Sequence, residues 1–175
     1  MGHTAILLSG GMDSIALAYW KLPHLAVTID YGQLSAQSEI KAASAFCQLM
    51  RIEHKVIRID CSSIGAGEML NALPLDISPA PEWWPFRNQM LITFACMGLI
   101  AQNISELWLG TVSTDTLYLD GTEEFYSNID RVVSAQEGNI HIKAPAIKMR
   151  TAELVKRSQI PLSILALAHS CHTGN

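Results

Sequence analysis

The sequence predicts an α/β domain built on a parallel sheet, three layers deep, with helices on both faces. Two observations carry that expectation. Apolar runs of strand length alternate with longer segments whose apolar residues recur at helical spacing, the pattern of βαβ units. The chain has 175 residues, 49% hydrophobic and 16% charged, enough to bury one core without disulfide or metal staples. A single domain spanning 1–175 follows.

Each element has its own signal. Residues 4–8 form an apolar run closed by Ser9-Gly10-Gly11, and 13–20 carry Ile15, Leu17, Ala18 and Tyr19 in helical pattern. A second strand over 25–29 ends at Asp30-Tyr31-Gly32-Gln33. A helix from about Ser35 places Ile40, Ala43, Phe46, Cys47 and Met50 on one face. Residues 54–59 read as a third strand, 87–102 as a core helix with Met90, Leu91, Phe94 and Gly98 at helical spacing, and 106–110 as a fourth strand. A last helix over 152–159 is expected, capped by Thr151 and stopped by Pro161. Between the third strand and the core helix, 61–85 is a loop of a length that is usually functional or mobile, ending in Pro-Glu-Trp-Trp-Pro. One of Trp83 and Trp84 could stack a purine-like base, or the pair could anchor the loop.

Composition excludes several classes of function. The net charge is −4 and no run of Lys or Arg occurs, which argues against nucleic acid or an anionic membrane as partner. The longest apolar stretch, 90–101, falls short of the roughly 20 residues of a spanning helix. The N-terminus enters a strand without a basic leader, so a cytoplasmic protein is expected. Cys47, Cys61, Cys96 and Cys171 form no CxxC pair, which favours reduced thiols.

Ligands of parallel α/β sheets bind at the carboxyl ends of the strands, which here are 9–14, 30–33 and 110–120. Ser9-Gly10-Gly11-Met12-Asp13-Ser14 opens a helix directly after the first strand. Its glycines let backbone N–H groups approach a ligand, and the helix N-terminus adds positive potential, so phosphate is the natural guest. The loop lacks the Lys of GxxxxGK[ST] and is too short for GxGxxG. The carboxylate of Asp13 would repel phosphate without a divalent cation between them, which implies Mg²⁺ if a nucleotide binds. The plainer alternative is a tight turn with Asp13 or Ser14 as helix cap.

The 9–14 segment resembles the PP-loop of the ATP pyrophosphatases, which cleave ATP to AMP and pyrophosphate while adenylating an acceptor. Three further segments narrow the resemblance: Asp30-Tyr31-Gly32-Gln33 with Glu39-Ile40, Pro85-Phe86-Arg87-Asn88, and Ala144-Pro145 followed by Glu153-Leu154 and Ser170-Cys171. In that order, nearly end to end, they are similar to the 7-cyano-7-deazaguanine synthase family. The resemblance implies an adenine nucleotide alpha hydrolase-like fold and a queuosine-biosynthesis ligase. Such a ligase adenylates 7-carboxy-7-deazaguanine and converts it with ammonia to the nitrile, using ATP and Mg²⁺, as a homodimer. It assigns Leu8, Ser9, Gly10, Gly11, Met12, Asp13, Ser14, Arg87, Asn88 and Gly110 to the nucleotide. Asp13, Ser14, Arg87 and Lys148 take catalytic roles, and Tyr31, Gln33, Asp115 and Asp120 hold the deazaguanine. Arg87 is the candidate cation for the leaving pyrophosphate, the alternative being a helix-start Arg paired with a surface carboxylate.

The chain departs from that family in three places. The family's zinc site uses four cysteines, whereas here Ser170-Cys171-His172-Thr173-Gly174 is followed only by Asn175, leaving Cys171 as the one matching zinc ligand. Thr151 stands where the family has a Lys, and Lys148 or Arg150 could reach the same phosphates. Asp120-Gly121-Thr122 stands where the family has Asp-Cys-Arg. These departures leave two other readings: a relative that passes the adenylated acid to another amine, such as a protein, and an ATP-binding homologue without catalysis.

Overall fold

The computed structural model describes residues 2–169. Five parallel strands form one sheet: β1 (His3–Leu7), β2 (Leu25–Asp30), β3 (Glu53–Arg58), β4 (Ile104–Trp108) and β5 (His141–Lys143), in the order β3-β2-β1-β4-β5. Ala5 pairs with Leu25 on one side and Leu107 on the other. The chain runs outward from β1 to β3, then returns to start again at β4. The crevice outside the carboxyl ends of β1 and β4 is therefore a topological switch point, where ligands of such sheets bind.

Alternation along the strands divides the core. Ala5, Val27 and Leu107 face α3 (Arg87–Leu99) and α4 (Glu123–Ser134), meeting Ile92, Ala95, Ile129 and Val133. Ile6, Leu8 and Ala26 face the opposite layer of α1 (Met12–Lys21), α2 (Ala36–Met50) and α5 (Thr151–Ser158), where Ile15, Leu17, Phe46 and Leu154 are fully buried. A side chain of that size contributes about 1.5–3 kcal/mol by burial. The chain then makes one more helical turn, α6 (Leu162–Leu165). Among the described residues no helix is long and apolar enough to cross a membrane.

The sequence predicts the first four strands and four of the helices but not α4, α6 or β5. The helix α4 buries only Tyr126, Ile129 and Val133, and its other positions are mostly polar, so its apolar stripe is narrow. β5 is three residues long, too short to show a period. It is held from outside: Asp130 of α4 accepts the Ile142 N–H at 2.7 Å, and its other oxygen lies 3.6 Å from the Lys143 ammonium. The expected cap of α5 also needs correction. Its N-cap is Arg150, whose N–H donates to the Glu153 carboxylate at 2.8 Å, and Thr151 is the first helical residue.

The long loop is an ordered covering. It contains two short 3₁₀ turns, Ser62–Ile64 and Glu68–Leu70, and is anchored by Trp84, which is buried edge-on against Tyr31 with ring centroids 4.9 Å apart. Trp84 is thus the anchor rather than a base-stacking surface.

Candidate functional site

The turn between β1 and α1 is pinned from three directions. The Leu8 N–H donates to the Val27 carbonyl at 2.8 Å, and the Thr28 hydroxyl donates to the Leu8 carbonyl at 2.6 Å. Gly10 sits at φ +77°, and a Cβ there would lie 2.7 Å from the Glu39 carbonyl oxygen, so both conformation and space require glycine. The His169 N–H closes the turn on the Gly10 carbonyl at 2.8 Å. Gly11 is the N-cap of α1 and receives no side-chain cap; instead the Ser14 hydroxyl donates to the Gly11 carbonyl at 2.9 Å. The capping alternative for Asp13 or Ser14 therefore fails, and the first N–H groups of α1 have no intrahelical partner. Gly110, just past β4, lets that strand close on the helix start: a Cβ would lie 2.8 Å from Ser14 Cα.

Beyond the turn lies a cavity of about 420 Å³, with Leu7, Val27, Ile29, Leu91 and Leu109 as its apolar walls. Its charged groups are Asp13, Glu39, Arg87 and Asp115, three acids and one strong base, with Asn88, Thr111, Tyr31, Tyr118, Met69 and His169 completing the lining. Asp13 Oδ1 is buried with no hydrogen-bond partner. Burial pushes the Asp13 carboxyl above the usual carboxylate range, a hydrogen bond from Thr151 opposes the shift, and the Asp115 charge adds to it. Asp115 is raised too, chiefly by burial, against the Val112 N–H that it accepts at 3.0 Å and the nearby Arg87 charge.

Arg87 is the first residue of α3, set there by Phe86 in the left-handed conformation at φ 56°. Its guanidinium lies 3.2 Å from the Met69 sulfur and, among the described residues, forms no ion pair with a carboxylate. A guanidinium facing a cavity in this state is available to an anion, and the surface-pair alternative fails. Asn88 follows it, its N–H and side-chain amide both bonded to Asp120.

The structure brings together most of the expected residues. Leu8, Ser9, Gly11, Met12, Asp13, Ser14, Tyr31, Arg87, Asn88, Gly110 and Asp115 line the one cavity, and Gly10 shapes the turn behind it. Gln33 stands behind the wall: it accepts the Tyr31 N–H at 2.9 Å and donates to the Ile29 carbonyl and to Glu39 Oε2. Asp120 lies in a neighbouring apolar groove with Trp83 and Phe86. Lys148 is exposed, its ammonium 3.1 Å from Glu123, and does not line the cavity. Cys171 lies outside the described residues. Among those residues no three His, Cys, Asp or Glu cluster to hold a metal, and Cys47, Cys61 and Cys96 are free thiols.

Sequence reasoning did not assign Met69, Tyr118, His169 or Glu39 to the site. Met69 arrives from the long loop, which carries no periodic signal, and Tyr118 is fixed by donating its hydroxyl to the Glu82 carboxylate at 2.6 Å. Glu39 did carry a signal, since it closes the Asp30-to-Gln33 segment's own hydrogen-bond network.

A protein-family model described as queuosine biosynthesis protein QueC matches residues 3–175. The 7-cyano-7-deazaguanine synthase of Nautilia profundicola is 28% identical over 98% of this chain and 85% of its own length. Those of Methanosarcina barkeri and Chlorobaculum parvum are 27% and 31% identical over 96% and 87% of the chain, and 84% and 74% of their own. Among solved structures, NMN synthetase from Francisella tularensis superimposes with a TM-score of 0.53 at 18% identity, covering 94% of this chain and 64% of that one, a likeness of fold. With the glycine turn, Arg87 and the switch-point cavity in the same frame, the chain belongs to the QueC family of queuosine biosynthesis proteins.

Proposed function

We propose that the chain is an ATP-dependent, AMP-forming ligase that converts 7-carboxy-7-deazaguanine and ammonia to 7-cyano-7-deazaguanine. The observation that carries this reading is one cavity lined by the unpartnered Asp13 Oδ1, the glycine turn and Arg87, which among the described residues has no carboxylate ion pair. Family membership supplies the substrate class, since the matching relatives bear the name 7-cyano-7-deazaguanine synthase.

The residues present fit a nucleotide with its cation. Three acids beside an anion-binding turn are self-repelling unless a divalent ion joins phosphate to carboxylate, and an orphaned buried carboxylate oxygen is the group such an ion would satisfy. Asp13 and Asp115 would hold Mg²⁺, which usually binds through one or two carboxylates plus substrate phosphates. Its contribution when bound is to neutralise phosphate charge.

In the first half-reaction the substrate carboxylate oxygen bonds to the α-phosphorus of ATP and the bond to pyrophosphate breaks. The N–H groups at the start of α1 and the Arg87 fork receive the negative charge as it develops. Ammonia then displaces AMP to form the amide. A second ATP activates the amide oxygen, with loss of pyrophosphate, and departure of that oxygen on AMP with release of the amide protons leaves the nitrile.

The test is AMP and pyrophosphate release from Mg-ATP with 7-carboxy-7-deazaguanine, with and without ammonia, reading products by mass and using Asp13→Ala as control. Nitrile that depends on Asp13 supports the reading, and absence of AMP with the acid overturns it. One observation favours a variant in which another amine takes the acyl group. Asp120 is spent on Asn88 and Thr122 caps α4, so the 120–122 segment offers no cation to the substrate acid. AMP without nitrile, together with a protein adduct, would identify that variant.

A further inference from the structure

We propose that His54 is a positioning residue for the nucleotide turn: through the Thr28 hydroxyl it holds the Leu8 carbonyl, and with it the Leu8–Ser9 peptide plane, in the orientation that offers the Ser9 N–H to an anion. The inference rests on the reading of the turn as the phosphate site and deepens it. His54 lies on the edge strand β3, opposite Ala26 of β2, so its ring falls beside Thr28 on the face that α2 covers. Its Nε2 is 2.8 Å from Thr28 Oγ1, and its Nδ1 is 3.1 Å from Ser44 Oγ on α2.

The hydrogens along this chain follow from its oxygens. Thr28 Oγ1 is 2.6 Å from the Leu8 carbonyl oxygen, a separation that requires a hydrogen between the two, and a hydroxyl has only one to give. Toward His54 the same oxygen is therefore an acceptor, and the ring carries its hydrogen on Nε2. Nδ1 of the neutral ring then accepts from the Ser44 hydroxyl. Every donor points the same way, from α2 through β3 and β2 to the first residue past β1, so each bond polarises the next. Thr28 is 2% exposed and Leu8 1%, which shuts both groups away from water and makes an unfilled partner costly.

The carbonyl and the N–H of a trans peptide point in opposite directions. With the Leu8 carbonyl drawn toward β2, the Ser9 N–H points away from it. Among the described residues, neither that group nor the Gly10 N–H donates to another main-chain carbonyl. Leu8 and Ser9 both line the cavity. The Leu8 N–H is already fixed on the Val27 carbonyl, so the Thr28 hydroxyl supplies the restraint on the next peptide plane. Without it, rotation of that plane would turn an oxygen toward the anion in place of a hydrogen.

Two measurements test this on the full chain. The first is a two-bond proton–nitrogen correlation spectrum of the imidazoles at pH 8, with the His54 signals assigned by their loss in His54→Gln. Burial pushes the His54 ring below its ordinary value, so it is neutral there. The Nε2–H tautomer is expected, and the Nδ1–H tautomer overturns the chain of bonds. The second is the affinity for a non-hydrolysable ATP analogue with Mg²⁺, read by calorimetry. His54→Asn, whose amide reaches only the place of Nδ1, should weaken it about 5-fold, and His54→Gln, whose amide nitrogen reaches the place of Nε2, should stay within about twofold of the parent. In a Thr28→Val background the Asn substitution should cost no further affinity. Equal affinity in parent and Asn variant, a Gln variant as weak as Asn, or losses that multiply in the double variant overturn the positioning role. A parent chain that does not bind the analogue overturns the proposed function together with the turn role of His54, whereas the tautomer reads the bonds by themselves.

Discussion

Asn88 and Asp120 bind each other twice: the Asp120 carboxylate accepts the Asn88 N–H at 3.0 Å, and the Asn88 side-chain amide donates to the Asp120 carbonyl at 2.8 Å. The clasp fixes the first turn of α3 to the segment after β4, one residue from Arg87. Asp120→Ala should lower stability by about 1–2 kcal/mol through the one carboxylate bond lost at a helix start, the bond to the main-chain carbonyl of residue 120 remaining. Pyrophosphate release should fall with it, since Arg87 would lose its registration, and denaturant melts alongside steady-state kinetics would show both.

Arg87 should be the most sensitive cation of the site. Arg87→Ala is expected to lower kcat about 10²–10³-fold, the range for removing one preorganised charge stabiliser. Lys should restore little, because a single ammonium cannot copy the bidentate fork. Lys148→Ala, by contrast, should leave kcat close to that of the parent chain, since its ammonium rests on Glu123 at the surface. Parallel pyrophosphate assays of the three variants would check this ordering.

The raised carboxyl of Asp13 has a signed consequence for stability. A carboxyl whose pKa is higher folded than unfolded takes up protons on folding, so stability falls as pH rises through the folded value. Without nucleotide, Asp13→Asn should therefore be more stable than the parent at pH 7. The gain should shrink as pH falls through the raised value towards the ordinary carboxylate value of about 4, where the parent's Asp13 is also neutral. Paired thermal melts across pH 4 to 8 would read it, and a gain independent of pH would contradict the burial of this carboxylate.

Gly10→Ala should fold poorly. The left-handed backbone costs about 1 kcal/mol for a residue with a Cβ, and the collision with the Glu39 carbonyl adds to that. Circular dichroism melts would show the loss, and the surviving folded fraction should bind ATP more weakly.

The thiols offer a simple accessibility check. Burial pushes Cys47 up to about 12 and Cys96 up to about 11, so neither should alkylate at pH 8 in the native chain, and both should do so in denaturant. Mass spectrometry after iodoacetamide treatment reports it.

What was legible in the sequence follows physical scale. Residues 4–8 and 25–29 sit at the centre of the sheet, apolar on both faces, and were readable as strands; β5, at the edge and held by Asp130, was not. The glycine turn is legible because Gly10 is needed locally, by its backbone conformation and by the space beside Glu39. Arg87 was legible only through its neighbours in the 85–88 segment. Met69 and Tyr118 come from loops whose positions are set by distant partners, Trp84 against Tyr31 and Glu82 against Tyr118, and no local pattern encodes such a pairing. Thr151 reads as a cap because helix starts favour Thr, yet Arg150 is the N-cap and Glu153 closes that end.

The bond from His169 to the Gly10 carbonyl joins the last described residue to the first loop of the chain. The cavity walls are likewise drawn from residues near 10, 30, 90, 110 and 169. During synthesis, β1 and its glycine turn emerge before β4, and must wait for it to complete the switch point and for the chain beyond α6 to close the turn. Contacts of such long sequence separation form slowly. A chain that has not yet reached His169 therefore lacks the bond that closes the turn, and nucleotide capture becomes a late event of folding.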